Sequence, residues 1–175
     1  QYKTDKLNTQ LGVRTEDNEL FGTHTIGQGA VRYHVLPETS IYANIGSAFK
    51  APSLTELYYF SEKSYGNTYG NPDLKPEESI SYEIGVDQRI GQNLNAFFSA
   101  YHTEIKNLIS YKYSKPNSTY INIDKAEING GELGLKWKKD DLFLNTAYAY
   151  VDSKDKKTDL RVAYKPKQTL TLTTG

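Results

Sequence analysis

The stretch Glu78-Ser79-Ile80-Ser81-Tyr82-Glu83-Ile84-Gly85-Val86-Asp87 decides the fold. Its apolar side chains fall at Ile80, Tyr82, Ile84 and Val86, with small or charged residues between them. That period of two gives an extended strand one apolar and one polar face. The alternation returns at Leu133, Leu135 and Trp137 against Glu132, Gly134, Lys136 and Lys138. It returns again at Leu142, Leu144, Thr146, Tyr148 and Tyr150 against Asn145, Ala147 and Ala149, and at Ile41, Ala43, Ile45 and Ser47 against Tyr42, Asn44 and Gly46. Working outward, the pattern predicts about eight strands, at 5–16, 22–35, 39–49, 78–90, 93–113, 119–138, 142–152 and 159–174.

The connectors alternate between two sizes. Short turns at Pro37-Glu38-Thr39, Gly91-Gln92-Asn93 and Lys139-Asp140-Asp141 use residues that tolerate tight dihedrals. The opposite ends carry longer polar stretches at 50–77, 113–119 and 152–159. A strand of about ten residues tilted by about 45° rises about 24 Å, close to the apolar band of outer-membrane barrels, which have short turns on one rim and long loops on the other. A soluble β-sandwich shares the alternation, but its strands usually run about 5–6 residues, and several here are longer than ten with no internal proline. Glycines at 27, 29, 46, 85, 130, 131 and 134 fit bends or close backbone approach in such a wall. The reading is an all-β antiparallel transmembrane barrel, with Glu83, Asp87, Glu132 and Lys136 on its polar lumen face. Ile80, Ile84, Leu133, Leu135, Trp137, Leu142 and Leu144 face lipid, and loops at 16–24, 50–77, 113–119 and 152–159 form the outer mouth.

Composition agrees with a wall rather than a thick core. Only 37% of the 175 residues are apolar, and the mean hydropathy is -0.66. No apolar run approaches the roughly 18 residues of a membrane helix. Lys plus Arg and Asp plus Glu are 21 each, so no charge excess points to nucleic acid. With no cysteine there is no disulfide, thiolate nucleophile or Cys metal site. Fifteen tyrosines against six Phe and one Trp suit surfaces that are apolar at one end and wet at the other. The chain opens at Gln1 without a charged and apolar leader, which is expected of a processed chain or an excised piece.

Two further stretches carry a family resemblance. Gly46-Ser47-Ala48-Phe49-Lys50-Ala51-Pro52-Ser53-Leu54-Thr55-Glu56-Leu57-Tyr58, followed by Gly70-Asn71-Pro72-Asp73-Leu74-Lys75-Pro76-Glu77, resembles the paired signatures of TonB-dependent receptors. Tyr82 to Val86, Tyr101 to Ile109 and Ala126 to Leu133 look like the strands that follow them in that family. The resemblance covers nearly the whole chain in order. It implies that residues 1–175 are about eight internal strands of a barrel of about 22, without the plug domain, the energy-coupling box or the terminal strands. It further implies active uptake of a scarce nutrient across the Gram-negative outer membrane, with a TonB-type coupling protein and membrane lipid as partners and colicins or phage as possible users of the outer loops. Phe49, Lys50, Ala51, Pro52, Asn71, Pro72, Asp73, Leu74 and Pro76 are the family boxes, read as scaffold. The branch it most resembles is the cobalamin receptors, with catecholate siderophore receptors next. Haem receptors place a ligating His between the two boxes, and none stands there here.

The binding candidates lie in the loop 50–77: Tyr58, Tyr59, Phe60, Tyr65 and Tyr69 with Asn67 and Asn71. Rigid aromatic surfaces with amide donors suit a large planar or amphipathic ligand, although the same rings would also serve to pack the loop or to form an aromatic girdle. His24, His34 and His102 fall on strands and read as hydrogen-bonded wall residues rather than metal ligands. Asp152, Asp155 and Asp159 are interleaved with Lys154, Lys156 and Lys157 and lack the glycine of a calcium loop. Trp137 among Lys136, Lys138 and Lys139 fits a membrane interface better than nucleic acid. The Asn117-Ser118-Thr119 sequon carries little weight in a bacterial outer-membrane protein. No nucleophile, metalloprotease or phosphate-loop motif is present, so neither a reaction nor a cofactor is indicated. Two other classes share the alternation, a passive porin-like or adhesive barrel and a soluble excised β-domain.

Overall fold

Side chains alternate across a strand, so the register between neighbours sorts every residue onto one of two faces. In the computed structural model, residues 1–64, 66–162 and 166–175 are described. The elements are β1 (Tyr2–Lys3), β2 (Leu7–Asn18), β3 (Gly22–Leu36), β4 (Thr39–Lys50), α1 (Leu54–Tyr58), β5 (Phe60–Ser61) and β6 (Asn67–Tyr69). They continue as β7 (Glu77–Ile90), β8 (Leu94–Lys112), β9 (Asn117–Lys139), β10 (Leu142–Asp155) and β11 (Gln168–Thr174). The sheet runs β1-β2-β3-β4-β7-β8-β9-β10-β11, each strand antiparallel to the next, with β5 and β6 off this path. The fold is a partial barrel wall.

The eight expected strands are present as β2, β3, β4 and β7 to β11, with three differences. The stretch 16–24 is no mouth loop, because β2 runs on to Asn18 and β3 starts at Gly22. The Asn18 side chain closes the turn by accepting the backbone N–H groups of Leu20 and Phe21, and Gly22 takes the left-handed φ of +80°. The last strand begins only at Gln168 rather than 159. Before it the chain reverses at Asp159, whose φ is +55° and whose N–H returns to the Asp155 carbonyl; residues 163–165 lie outside the described ones. The stretch 50–77 is not wholly irregular, since it folds α1, β5 and β6.

Register confirms the two faces. Glu83 pairs with Asn44 and Tyr101, Asp87 with Ser40 and Phe97, and Glu132 with Ser99. Ile84 pairs with Ala43 and Ala100, Leu133 with Phe98 and Tyr148, and Leu144 with Trp137. On the second face large apolar side chains stand bare, with Leu11 at 84% exposure. Among the described residues the buried apolar side chains are Pro52, Leu57, Leu74 and Ala126, so no second sheet covers this face and no sandwich core exists. Along β7 the apolar face runs from Ile90 to Ile80, about 34 Å of strand and about 24 Å of height at the usual tilt.

On the polar face the side chains bond to one another across strands. Glu83 accepts from Tyr42 Oη at 3.2 Å and from Asn44 Nδ2 at 3.1 Å. Arg32 pairs with Asp87 and lies over the Tyr42 ring. The rings of Tyr42 and Tyr101 lie flat over their cross-strand partners Gly85 and Gly130, where a Cβ would come within 2.3 Å of each ring. Gly85→Ala is therefore expected to destabilise the full-length protein by the cost of overpacking, about 1–3 kcal/mol, read as a lowered denaturation midpoint. In a Tyr42→Ala background the same change should cost little; an undiminished penalty would mean that the ring contact is not the cause.

Candidate functional site

The loop between β4 and β7 is built from its ends inward. Pro52 is buried, and Ser53 starts α1 with a capping box: the Glu56 N–H donates to Ser53 Oγ at 3.2 Å, and the Ser53 N–H donates to Glu56 Oε2 at 2.7 Å. Burial alone would raise the Glu56 carboxyl, but the Ser53 N–H and hydroxyl together with Lys50 outweigh it and hold the group below its ordinary range. Leu57, on the inner side of α1, is 2% exposed, and Leu74 is 3% exposed. The second box lies against the helix: Gly70 N–H donates to the Tyr59 carbonyl at 2.6 Å and Asn71 N–H to the Glu56 carbonyl at 2.8 Å. A Cβ at position 70 would sit 2.6 Å from the Leu57 carbonyl, so only glycine lets the two segments meet.

A clasp then ties both boxes to the wall. Asn71 Nδ2 donates to the Tyr120 carbonyl at 2.9 Å, and its Oδ1 accepts the Asp73 N–H at 3.0 Å. Asn122 on β9 accepts the Lys75 N–H at 2.8 Å and donates to the carbonyls of Lys75 and Asn107 at 3.0 and 2.7 Å. Glu77 Oε1 accepts from the Ile109 N–H at 2.8 Å and from Lys50 Nζ at 3.2 Å, while Lys50 also lies 3.8 Å from Glu56. Residues far apart in sequence thus fix the loop as part of the sheet. β6 adds to this by pairing in parallel with β9, Asn67 against Asn117 and Tyr69 against Thr119.

The clasp leaves the aromatic side chains outward. Tyr58 is 61% exposed, and Tyr59, Phe60 and Tyr69 are also exposed. Phe60 and Tyr69 are cross-strand partners with ring centroids 5.3 Å apart, and Asn67 Nδ2 donates to Tyr69 Oη at 3.1 Å. Asn71 is not among them, because both ends of its amide turn inward. Tyr65 lies outside the described residues. Tyr111 and Tyr120, which sequence reasoning left on strands, face each other edge to face at 5.4 Å beside the loop, with Thr68 Oγ1 3.0 Å from Tyr111 Oη. Their opposite positions at the turn end of the β8–β9 hairpin were the available signal. The histidines bond locally, His24 to the Phe21 carbonyl and His102 to Asn129, and no metal-holding group of side chains occurs among the described residues.

Removing the clasp should free the loop without unfolding the wall. Asn122→Ala deletes three hydrogen bonds, two of them to the loop, and each left unmade costs about 1–3 kcal/mol. Limited proteolysis of the full-length protein is expected to cut within 59–70 at least tenfold faster in that variant. Because the folded-state pKa of Glu56 is depressed, its contribution is complete above the ordinary carboxylate range and fades as pH falls through the lowered value. Protection of the loop should decline over that acid window in the parent protein, and Glu56→Gln should flatten that dependence.

Comparison with known proteins agrees with this geometry. The profile of the TonB dependent receptor-like, beta-barrel family matches residues 1–175. The chain is 35% identical over 171 residues to the vitamin B12 transporter BtuB of Photobacterium profundum, covering 95% of this chain and 27% of that protein. It shares its fold with the Pseudomonas aeruginosa ferric enterobactin receptor PfeA in complex with enterobactin, at a TM-score of 0.78 and 21% identity over 98% of this chain and 28% of that one. The siderophore receptor PirA from Acinetobacter baumannii matches at a TM-score of 0.76 and 21% identity, over 95% of this chain and 28% of that one. The chain therefore spans little more than a quarter of the relatives it matches. It belongs to the TonB-dependent receptor family, as a length of the β-barrel wall by which such receptors sit in the Gram-negative outer membrane.

Proposed function

We propose that this chain forms part of the wall and outer mouth of a receptor that takes up a scarce nutrient by TonB-dependent active transport, with cobalamin as the ligand. The observation that carries the ligand is the 35% identity to a vitamin B12 transporter along 95% of the chain. The site adds a physical reason. Cobalamin is large and amphipathic, and Tyr58, Tyr59, Phe60 and Tyr69 with Asn67 present ring faces and an amide in one place, held there before the ligand arrives. Asn71 supports them from below, and Tyr65 belongs to the same stretch. In this reading the long-loop rim is extracellular, and the lumen carboxylates Glu83 and Glu132 face the plug domain through which TonB acts.

A second ligand class has its own support: the siderophore receptors match in fold at TM-scores of up to 0.78. Aromatic rings and tyrosine hydroxyls suit a ferric catecholate as well as a corrin. A passive pore is the rival of another class, and it would conduct regardless of the proton-motive force.

Two measurements test the proposal. The full-length receptor should bind cyanocobalamin, and Tyr58→Ala, Tyr59→Ala and Tyr69→Ala should each weaken binding about tenfold, as truncation of a central aromatic contact does. Tight binding of a ferric catecholate instead would keep the transporter and replace the ligand; tyrosine variants that bind unchanged would remove the site. Orientation is read separately. A Glu62→Cys receptor should react on intact cells with a membrane-impermeant maleimide beyond the level of the parent receptor, and labelling only after lysis would reverse the assignment of the rims.

A further inference from the structure

The lumen face of β9 continues upward into the mouth. β9 has no left-handed residue, and its pairing with β8 keeps one register on both sides of Asn107, from Leu94 opposite Trp137 to Lys112 opposite Thr119. Side chains alternate across a strand, so Asn122, Tyr120 and Ser118, each an even number of residues from Glu132, share its face. Register adds Tyr111, opposite Tyr120, and Thr68, opposite Ser118. The contacts agree. Tyr111 and Tyr120 meet edge to face at 5.4 Å, and Thr68 Oγ1 lies 3.0 Å from Tyr111 Oη.

The loop reaches this side by crossing the hairpin. Its neighbours in sequence, β4 and β7, lie on the β8 side of β9, yet β6 pairs with the other edge of β9, which β10 leaves free above Ala126. Asn122, on the lumen face, holds Lys75, so the crossing runs over that face. Tyr111 is still 39% exposed there. The Ser118 hydroxyl gives its hydrogen to the Ser114 carbonyl at 3.2 Å and so donates nothing to Tyr111 or Thr68. One hydrogen lies between Tyr111 Oη and Thr68 Oγ1, and lone pairs on the two oxygens remain to accept.

We propose that Tyr111, held in place by Thr68, is a specificity-determining ligand contact on the lumen side of the mouth, and that it selects a ligand edged with carboxamides. Its hydroxyl oxygen accepts from an amide N–H of the ligand as the ring packs against the ligand's apolar part. The inference rests on the cobalamin reading, because a corrin carries such amides around its rim. The iron-bound oxygens of a ferric catecholate have no hydrogen to donate, so the same contact disfavours that class.

Equilibrium binding to the full-length receptor tests this with cyanocobalamin and with derivatives in which one propionamide is hydrolysed to the acid. The parent receptor is expected to bind at least one acid about fivefold more weakly than cyanocobalamin, the worth of one neutral hydrogen bond, because that acid lacks the N–H that Tyr111 accepts. Tyr111→Phe keeps the ring, and it should bind cyanocobalamin about fivefold more weakly while binding that acid as the parent does. A loosened loop would weaken both ligands alike and leave their ratio unchanged, so the ratio separates contact from support. Tyr111→Phe that binds cyanocobalamin as tightly as the parent, or that keeps the parent's preference for amide over acid, overturns the assignment and leaves the cobalamin reading standing. A parent receptor that binds no cyanocobalamin overturns both.

Discussion

Hydrocarbon offers no hydrogen bonds, so each backbone N–H and C=O that crosses a membrane must find its partner within the protein. Long antiparallel strands joined to their chain neighbours meet that demand, and the rest of this structure follows from it. Strands as long as β8 and β9 remain paired across the apolar band and extend beyond it as a hairpin. At the two sides of the sheet, β1–β2 and β11 carry backbone groups that further strands pair in a closed barrel. Where solvent is hydrocarbon, the apolar side chains belong outside, which is why Leu11, Leu133 and Leu170 stand bare while carboxylates line the interior face.

Tyrosine serves three settings in this arrangement. On the lumen face Tyr42 and Tyr101 lie over glycines, covering backbone that would otherwise be open to water. On the outer face Tyr82 and Tyr148 stand among aliphatic neighbours, where a ring with one polar end suits the edge of the apolar band. At the mouth Tyr58, Tyr59 and Tyr69 are free of such packing and present their faces outward. One residue type thus covers backbone, stands at the edge of the apolar band and, in the proposed function, meets the ligand, according to what its position places beside it.

The motif boxes and the candidate ligand surface divide the loop between them. Hydrogen bonds of Lys50, Ser53, Glu56, Gly70, Asn71 and Glu77 join the boxes, α1, β8 and β9. Tyr58, Tyr59, Phe60 and Tyr69 turn outward. A loop of this length without such a clasp would have to order its aromatic side chains on binding, at a cost in affinity; here the order is built before a ligand arrives.

The strands and their faces were legible in the sequence because alternation is a local property: once Ile80, Tyr82, Ile84 and Val86 share a face, antiparallel pairing carries that assignment to every neighbour. The family boxes were legible for a similar reason, being contiguous runs. What only the tertiary structure decided lies in contacts between distant residues. Asn71 resembled an exposed amide donor beside the tyrosines, yet its partner is the Tyr120 carbonyl, and Asn122 gave no sign in sequence that it holds Lys75. The parting of β3 from β4 beyond Gln28 and Gly46 likewise arises between strands rather than within one. A strand's period follows from the geometry of its own backbone, whereas a hydrogen bond across a sheet depends on where two chain segments meet, and that is set only when the whole wall has formed.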